Sequence, residues 1–246
     1  MRSHFLVLLL AASSLAVAPT ALAAGKPGTP VILPTGPTSS PWTMVAVCSM
    51  GVSQVQAHSF GIFPPDDIFF TLLRRSSCTA CAGSDQVLLS EASVRLFFPT
   101  VCRIPTKASI VGWLPSSCGI IPDAQNVICP DVSVVLEADD VGGRTFSIPL
   151  AADCRMTDST FLKITFTEVP DSCIQGVPPS QSRPQMMQAG VCRPCESWGL
   201  ESRGLIDVCD PVEGIGWQPI MFVVGDVCVT PVRPRSWGRI KTLYRN

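Results

Sequence analysis

Histidine is the scarcest of the residue types that carry catalysis or bind metal ions in this sequence. Among 246 residues there are only two, His4 and His58. A site built from several histidines is therefore excluded by number. A Ser-His-Asp or Cys-His hydrolase would have to use His58, because His4 lies in the predicted signal peptide. That residue stands in the stretch Gln56-Ala57-His58-Ser59-Phe60, and the sequence has no nucleophile elbow. We interpret His58 as a loop residue and predict that the protein is not an enzyme, with no catalytic residue and no cofactor.

An excess of charge of one sign and long apolar runs are also missing. Lys and Arg number 18 and Asp and Glu number 19, which gives a net charge of −1. This balance offers no general electrostatic attraction to nucleic acid. Beyond the N-terminal leader, no apolar run approaches the ~20 residues that a membrane-spanning helix needs. We therefore predict neither a nucleic-acid partner nor a membrane span.

The N-terminus has the pattern of a secretory signal peptide. Arg2 supplies a positive charge, residues 5–17 are apolar except for Ser13 and Ser14, and Ala21-Leu22-Ala23 offers small residues for cleavage. The apolar run is too short for a membrane anchor, and Pro19 follows it directly. The pattern predicts a signal peptide over residues 1–23 and a periplasmic or extracellular location.

Export changes the interpretation of the cysteines. In an oxidising compartment thiols form disulfides, and an even number of cysteines predicts that all are paired and that none binds a metal ion. Of the local bridges, Cys118–Cys129 is the first choice. Two Cys-x-x-Cys motifs, at residues 78–81 and 192–195, are interpreted as structural disulfides rather than as zinc or thioredoxin-like redox sites. The twelve cysteines are Cys48, Cys78, Cys81, Cys102, Cys118, Cys129, Cys154, Cys173, Cys192, Cys195, Cys209 and Cys228.

Short strands with period-two alternation dominate the centre of the chain. The strand candidates are residues 94–98, 109–113, 132–138, 145–148 and 161–169, and the turn 139–143 is predicted to join two of them as a hairpin. The 23 prolines and 18 glycines favour many turns over long helices. The fold class predicted is all-β, a disulfide-stapled antiparallel β-sandwich of jelly-roll-like form, with a short C-terminal helix.

The rest of the chain is divided by composition. Residues 24–41 contain five prolines and are predicted to be an extended linker, and residues 42–230 form the sandwich domain. Residues 231–246 form a basic amphipathic tail, in which Trp237, Ile240, Leu243 and Tyr244 share one face of a helix. The tail is either a short helix docked on the sandwich or, as we favour slightly, an exposed segment that contacts sorting machinery or an anionic surface.

Several stretches resemble a known group of proteins. They are Cys78-Thr79-Ala80-Cys81, residues 126–130, residues 148–150, residues 161–166, Cys192-Arg193-Pro194-Cys195-Glu196-Ser197-Trp198 and residues 236–245. Together they are similar to secreted, cysteine-rich bacterial proteins that end in a Trp-Gly-x-Ile-Lys-x-Leu-Tyr-Arg tail. The resemblance implies a secreted, cysteine-stapled β-sandwich and implies no activity.

Two sets of residues are candidates for binding or chemistry. Trp113, Trp198 and Trp217 are candidate stacking platforms for a glycan, although tryptophans of this kind more often cover the ends of a core. The aspartate pairs at 66–67 and 139–140, with Asp153 and Asp158, would be needed for a glycosidase mechanism but are more typical of turns. The hypothesis favoured by the sequence is a secreted, non-catalytic module that binds a glycan or a cell-envelope component. The alternatives are a secreted hydrolase with a carboxylate pair and a purely structural envelope component.

Overall fold

The described part of the chain is built from antiparallel strands joined by turns. The computed structural model describes residues 45–54, 59–61, 67–174, 183–201, 204–212, 214 and 216–229. Within these ranges no segment is an α-helix, and no helix is long and apolar enough to cross a bilayer. The all-β prediction is confirmed, whereas the predicted leader, linker and C-terminal helix, with His58, lie outside the described residues. The strands are β1 (Val45–Gly51), β2 (Ser59–Gly61), β3 (Asp67–Leu73), β4 (Gln86–Phe98), β5 (Cys102–Ser116), β6 (Gly119–Ala138), β7 (Gly142–Pro149), β8 (Arg155–Met156), β9 (Thr160–Phe166), β10 (Gln185–Met187), β11 (Ser197–Glu201), β12 (Gly204–Asp207) and β13 (Met221–Val229).

One sheet, sheet A, is organised around β4. This strand pairs with β13 and β10 along one edge and with β7 and β8 along the other, and β1 adds to the far side of β13. All of these pairings are antiparallel. Strand β4 is buried at alternate positions over much of its length because it carries Val87, Leu89, Val94 and Leu96 on one face.

The other sheet, sheet B, has the order β12-β11-β3-β9-β5-β6. Its central strand β9 directs Leu162, Ile164 and Phe166 to the main core, as the sequence alternation predicts. The alternation in residues 132–138 is confirmed as well, since Leu136 and Ala138 are buried while Ser133, Val135 and Glu137 are exposed. Strand β6 forms the edge of this sheet.

The two sheets share one hydrophobic cluster. Buried side chains of sheet A, such as Leu96 and Phe98, belong to the same cluster as Ile104 and Phe166 of sheet B. Each fully buried side chain of this size stabilises the fold by about 1.5–3 kcal/mol relative to exposure. The cluster is therefore the main non-covalent connection between the sheets.

The turn at residues 139–143 does not close a hairpin, so that prediction is wrong. Strand β6 before the turn pairs with β5 in sheet B, whereas β7 after it pairs with β4 in sheet A. The turn therefore carries the chain from one sheet to the other. Asp139, Asp140 and two glycines predict a turn from the local sequence. They do not determine which strands β6 and β7 pair with.

Six disulfides use all twelve cysteines, which confirms the predicted full pairing. The predicted local bridge Cys118–Cys129 is wrong, because Cys118 lies at the end of a hairpin that folds away from Cys129. Neither Cys-x-x-Cys motif closes on itself. The bridges are Cys48–Cys78, Cys81–Cys228, Cys102–Cys173, Cys118–Cys195, Cys129–Cys154 and Cys192–Cys209.

The β5–β6 hairpin is irregular where it leaves the plane of sheet B. Between the pairs Ala108–Val132 and Gly112–Asp123, β5 advances four residues while β6 advances nine. The five extra residues form bulges, which bend a strand and increase its twist. Residues 112–123 beyond the bulges, which we call the arm, pair regularly up to a turn that uses Gly119 at φ +84°.

The arm covers part of the outer face of sheet B. Ile120, Ile121 and Cys118 of the arm pack against a second hydrophobic cluster, which lies on the opposite side of sheet B from the main core. The Cys118–Cys195 disulfide ties the end of the arm to the loop before β11. Sheet B is thus buried on both faces in this region. The buried members of the second cluster are Phe70, Leu72, Val111, Phe161 and Trp198.

Removing the Cys118–Cys195 bridge should loosen the arm. In the double variant Cys118→Ser with Cys195→Ser, we expect the free energy of unfolding in urea to fall by about 2–4 kcal/mol, because a long loop is no longer constrained. Hydrogen exchange of residues 112–123 should become faster, while exchange in β4 should change little. If stability falls but the hydrogen exchange of residues 112–123 stays the same, this bridge does not hold the arm in place.

Candidate functional site

The cysteine motifs do not form a metal centre in this structure. Within the described residues, two groups of three ligating atoms lie within 4.8 Å of one another, namely Cys48 with Cys78 and Cys81, and Cys118 with Cys195 and Asp207. Every one of these cysteines is in a disulfide. A sulfur atom in a disulfide is not a thiolate, and zinc binding requires thiolates.

Chelation should therefore have no effect on folding, whereas reduction should have a large one. We expect EDTA to leave the Tm unchanged and excess dithiothreitol to lower it by many degrees, because loss of one native bridge typically costs about 2–5 kcal/mol. The two treatments are compared by calorimetry on the same protein stock. A large decrease of the Tm with EDTA alone would restore the zinc hypothesis.

The three candidate tryptophans lie in different environments. Trp198 is buried at 7% exposure and cannot serve as a stacking platform, because it belongs to the cluster beneath the arm. Trp217 is partly buried and packs on the main core, with its ring centroid 6.0 Å from that of Phe69. Trp113, on the arm, is 40% exposed. The structure thus leaves Trp113 as the most accessible of the three.

Three of the candidate carboxylates, those of Asp140, Asp153 and Asp158, are engaged in local contacts. Asp140 forms an ion pair with Arg144, and Asp153 lies 3.6 Å from Arg155. The Asp158 carboxylate accepts a hydrogen bond from the Ser159 amide, as expected of a turn aspartate. Asp66 lies outside the described residues. These contacts support the interpretation of the aspartates as turn formers.

A polar cavity of 180 Å³ lies between the end of β1 and the loop that precedes β11. We call residues 188–196 the second cysteine loop. The cavity walls are residues 51–54, which follow β1, and residues 189–191 of the second cysteine loop. Three side chains, those of Arg193, Glu196 and Gln218, complete the lining.

Hydrogen bonds fix the walls of this cavity. The Val52 amide donates to the Met221 carbonyl at 2.8 Å, and the Ala189 amide donates to the Gln218 carbonyl at 2.8 Å. Gln218 is buried, and its side-chain amide donates to the Ser197 hydroxyl at 3.0 Å while its oxygen accepts from the Arg193 amide at 3.4 Å. A lining held in this way is pre-organised, which lowers the cost of ordering it on binding.

The charged side chains leave an excess of positive charge at the cavity. Glu196 is 19% exposed and accepts a hydrogen bond from the Arg74 guanidinium at 2.6 Å. The Arg193 guanidinium lies 4.0 Å from the same carboxylate and is 69% exposed. One carboxylate thus faces two guanidinium groups, and Arg193 has most of its donors open to solvent. This geometry suits an anionic ligand group.

Asp207 positions the second cysteine loop. Its carboxylate is buried and accepts hydrogen bonds from the amides of Cys195, at 2.6 Å, and Cys209, at 3.0 Å. Cys195 has φ +66°, a conformation that non-glycine residues adopt at some energetic cost. The hydrogen bond from its amide helps to hold this conformation next to Glu196 of the cavity.

Substitution of Asp207 should therefore destabilise the protein. For Asp207→Asn we expect the free energy of unfolding to fall by about 1.5–3 kcal/mol, since an amide group replaces one of the two accepting oxygens. The matched control is Asp139→Asn in the exposed turn, for which a change within about 0.5 kcal/mol is expected. Equal effects of the two substitutions in urea titrations would show that Asp207 has no special structural role.

Sequence analysis did not single out Arg193, Glu196 or Gln218. Arg193 and Glu196 do lie within the quoted stretch Cys192–Trp198, where two charged residues flank a cysteine that is fixed by a disulfide. That juxtaposition is the one sequence signal that could have identified them. Gln218 gave no signal, because its burial depends on the contact with Ser197 from a distant strand.

Comparison with known protein families, with curated proteins and with solved structures finds no match for this chain. The assignment of a function therefore rests on the physical chemistry of the cavity.

Proposed function

We propose that this chain is an exported, non-catalytic binding module in which sheets A and B form a β-sandwich. The shared hydrophobic cluster between two antiparallel sheets supports the sandwich. Six disulfides in one chain are typical of an oxidising compartment and agree with the pattern of a signal peptide at the N-terminus. The jelly-roll-like strand order and the resemblance to secreted bacterial proteins stay predictions.

The observation that carries the binding function is the exposed Arg193 guanidinium above a fixed polar cavity. A guanidinium presents a planar set of donors that matches a carboxylate. Residues 51–54 and 189–191, with Gln218, line the remaining space. We propose that the ligand is a carboxylated sugar, whose carboxylate pairs with Arg193 and whose hydroxyls bond to the cavity walls. This refines the glycan-binding hypothesis drawn from the sequence.

Trp113, which the sequence predicts to be a stacking platform, does not contribute to the proposed cavity. It lies on the arm and does not line the cavity. A stacking role for Trp113 would require a second contact of an extended glycan with the arm. Trp198 takes no part, because it is buried.

The hydrolase alternative finds less support at this cavity. Its lining includes one carboxylate, that of Glu196, and this group is already hydrogen-bonded to Arg74. Glycosidases place two carboxylates about 5–9.5 Å apart on either side of the bond to be broken. A lone ion-paired carboxylate fits ligand recognition better than general acid catalysis.

A charge-matched binding experiment tests the proposal. Oligogalacturonate, which carries carboxylates, should bind to the full chain in isothermal titration calorimetry, and Arg193→Gln should weaken binding about tenfold or more. The expected loss follows from a charge-assisted hydrogen bond of about 1.5–3 kcal/mol, with about 1.4 kcal/mol for each factor of ten. Glu196 keeps its shorter contact with Arg74, so the fold should be intact in this variant.

Two controls accompany this measurement. Methyl-esterified oligogalacturonate has the same sugar backbone without the charges and should bind at least tenfold more weakly to the unmodified chain. Arg155→Gln removes an exposed arginine next to Asp153, away from the cavity lining, and should leave affinity unchanged. Equal affinity of the charged and esterified sugars, or an equal effect of the two arginine substitutions, would refute the proposed recognition.

A further inference from the structure

Four cysteines at one end of sheet A form two disulfides that lie next to each other. Cys48 of β1 is bonded to Cys78, and Cys81 is bonded to Cys228 of β13. The Sγ atoms of Cys48, Cys78 and Cys81 all lie within 4.8 Å of one another. Cys81 is therefore a close neighbour of a bridge to which it does not belong.

The backbone holds Cys81 in this position independently of its partner. Residues 79–81 form a 3-10 turn in which the Cys81 amide donates to the Cys78 carbonyl at 3.0 Å. The next turn is closed in the same way, because the Ser84 amide donates to the Cys81 carbonyl at 3.0 Å. Cleavage of the bond to Cys228 would therefore leave the Cys81 sulfur close to Cys78.

The four sulfur-bearing residues differ in accessibility. Cys48, Cys78 and Cys81 are buried, at 9%, 1% and 2% exposure. Cys228 is only partly buried. Because disulfide exchange requires access to the attacked sulfur, a reductant should reach this cluster first at Cys228.

We propose that Cys48, Cys78, Cys81 and Cys228 form a disulfide-exchange site that responds to a dithiol reductant. One thiolate of the reductant attacks the Cys228 sulfur and forms a mixed disulfide, so the bond from Cys228 to Cys81 breaks and Cys81 leaves as a thiolate. The Cys81 thiolate attacks the Cys78 sulfur, which forms a Cys78–Cys81 bond and releases Cys48 as a thiolate.

The second thiol of the reductant completes the reaction. It attacks the reductant's own sulfur in the mixed disulfide, closes the disulfide of the reductant and releases Cys228. The released thiolates of Cys48 and Cys228 take up protons from water. In total the dithiol loses two electrons and the protein gains two, so two protein bridges become one bridge and two thiols.

The exchange changes the disulfides of the loop between β3 and β4 but leaves the strand pairing of sheet A unchanged. Cys48 and Cys228 lie on adjacent strands, and β1 stays paired with β13 through backbone hydrogen bonds. The loop between β3 and β4, by contrast, loses both covalent ties to these strands. The exchange thus removes the disulfides between that loop and strands β1 and β13, while the backbone pairing of sheet A is retained.

Partial reduction of the full oxidised chain tests this proposal. The protein is titrated with dithiothreitol without denaturant, quenched with acid, labelled with N-ethylmaleimide and mapped by mass spectrometry without further reduction. In chains whose Cys228 is labelled, we expect Cys48 to be labelled too and Cys78 to be linked to Cys81 in most molecules. Labelling of Cys81 together with Cys228, with Cys48–Cys78 intact, would overturn the proposal. So would unfolding of the chain before Cys228 is labelled.

A pair of single variants isolates the exchange step. In Cys228→Ser the Cys81 thiol has a bridge beside it, so N-ethylmaleimide label should be divided between Cys81 and Cys48. In the control Cys195→Ser, the sulfur of the freed Cys118 is not grouped with a cysteine of any other bridge in the described residues. The label should therefore stay on Cys118. Label on Cys81 alone in Cys228→Ser would contradict the proposal. If this variant does not fold, the partial reduction of the unmodified chain decides.

Discussion

Burial of the apolar faces of two sheets in one cluster is the interaction on which the rest of this structure depends. The cluster receives Leu96 and Phe98 from one sheet and Ile164 and Phe166 from the other, all nearly inaccessible to solvent. It gathers contributions from strands that are far apart in the chain, and each is worth about 1.5–3 kcal/mol. The disulfides lie mainly where strands meet loops. They hold the segments that a chain with many turns cannot hold by packing alone.

Part of this architecture could be predicted from the sequence for a clear physical reason. Alternation in β9 and in the second half of β6 records which side chains face the core, and the structure confirms both. The hairpin prediction at residues 139–143 was wrong because local turn chemistry does not specify the partner strand. The bridge Cys118–Cys129 was wrong because the five extra residues of β6 carry the arm onto the outer face of sheet B. Such a bulge leaves no periodic signal.

The candidate site was less predictable than the fold, because its parts come from separate regions of the chain. Arg193 and Glu196 are adjacent to cysteines in the sequence, but Gln218 and residues 51–54 join them only through strand pairing. Trp198, by contrast, was predicted to be a site residue but does not line the cavity. The sequence predicts a stacking platform at the surface, but the arm covers Trp198, which instead stabilises the second cluster. Aromatic residues near sheet ends carry this ambiguity, since the same side chain suits both roles.

The order of the bridges along the chain has a consequence for biosynthesis. Only Cys48–Cys78 and Cys129–Cys154 join cysteines that are consecutive in the sequence. The partner of Cys81 lies 147 residues further along the chain. Because synthesis starts at the N-terminus, Cys102, Cys118 and later cysteines are made before that partner, Cys228. Premature pairings are therefore open to the nascent protein at almost every stage. A cell that makes it, or a laboratory host that expresses it, needs an enzyme that reshuffles disulfides as well as one that forms them.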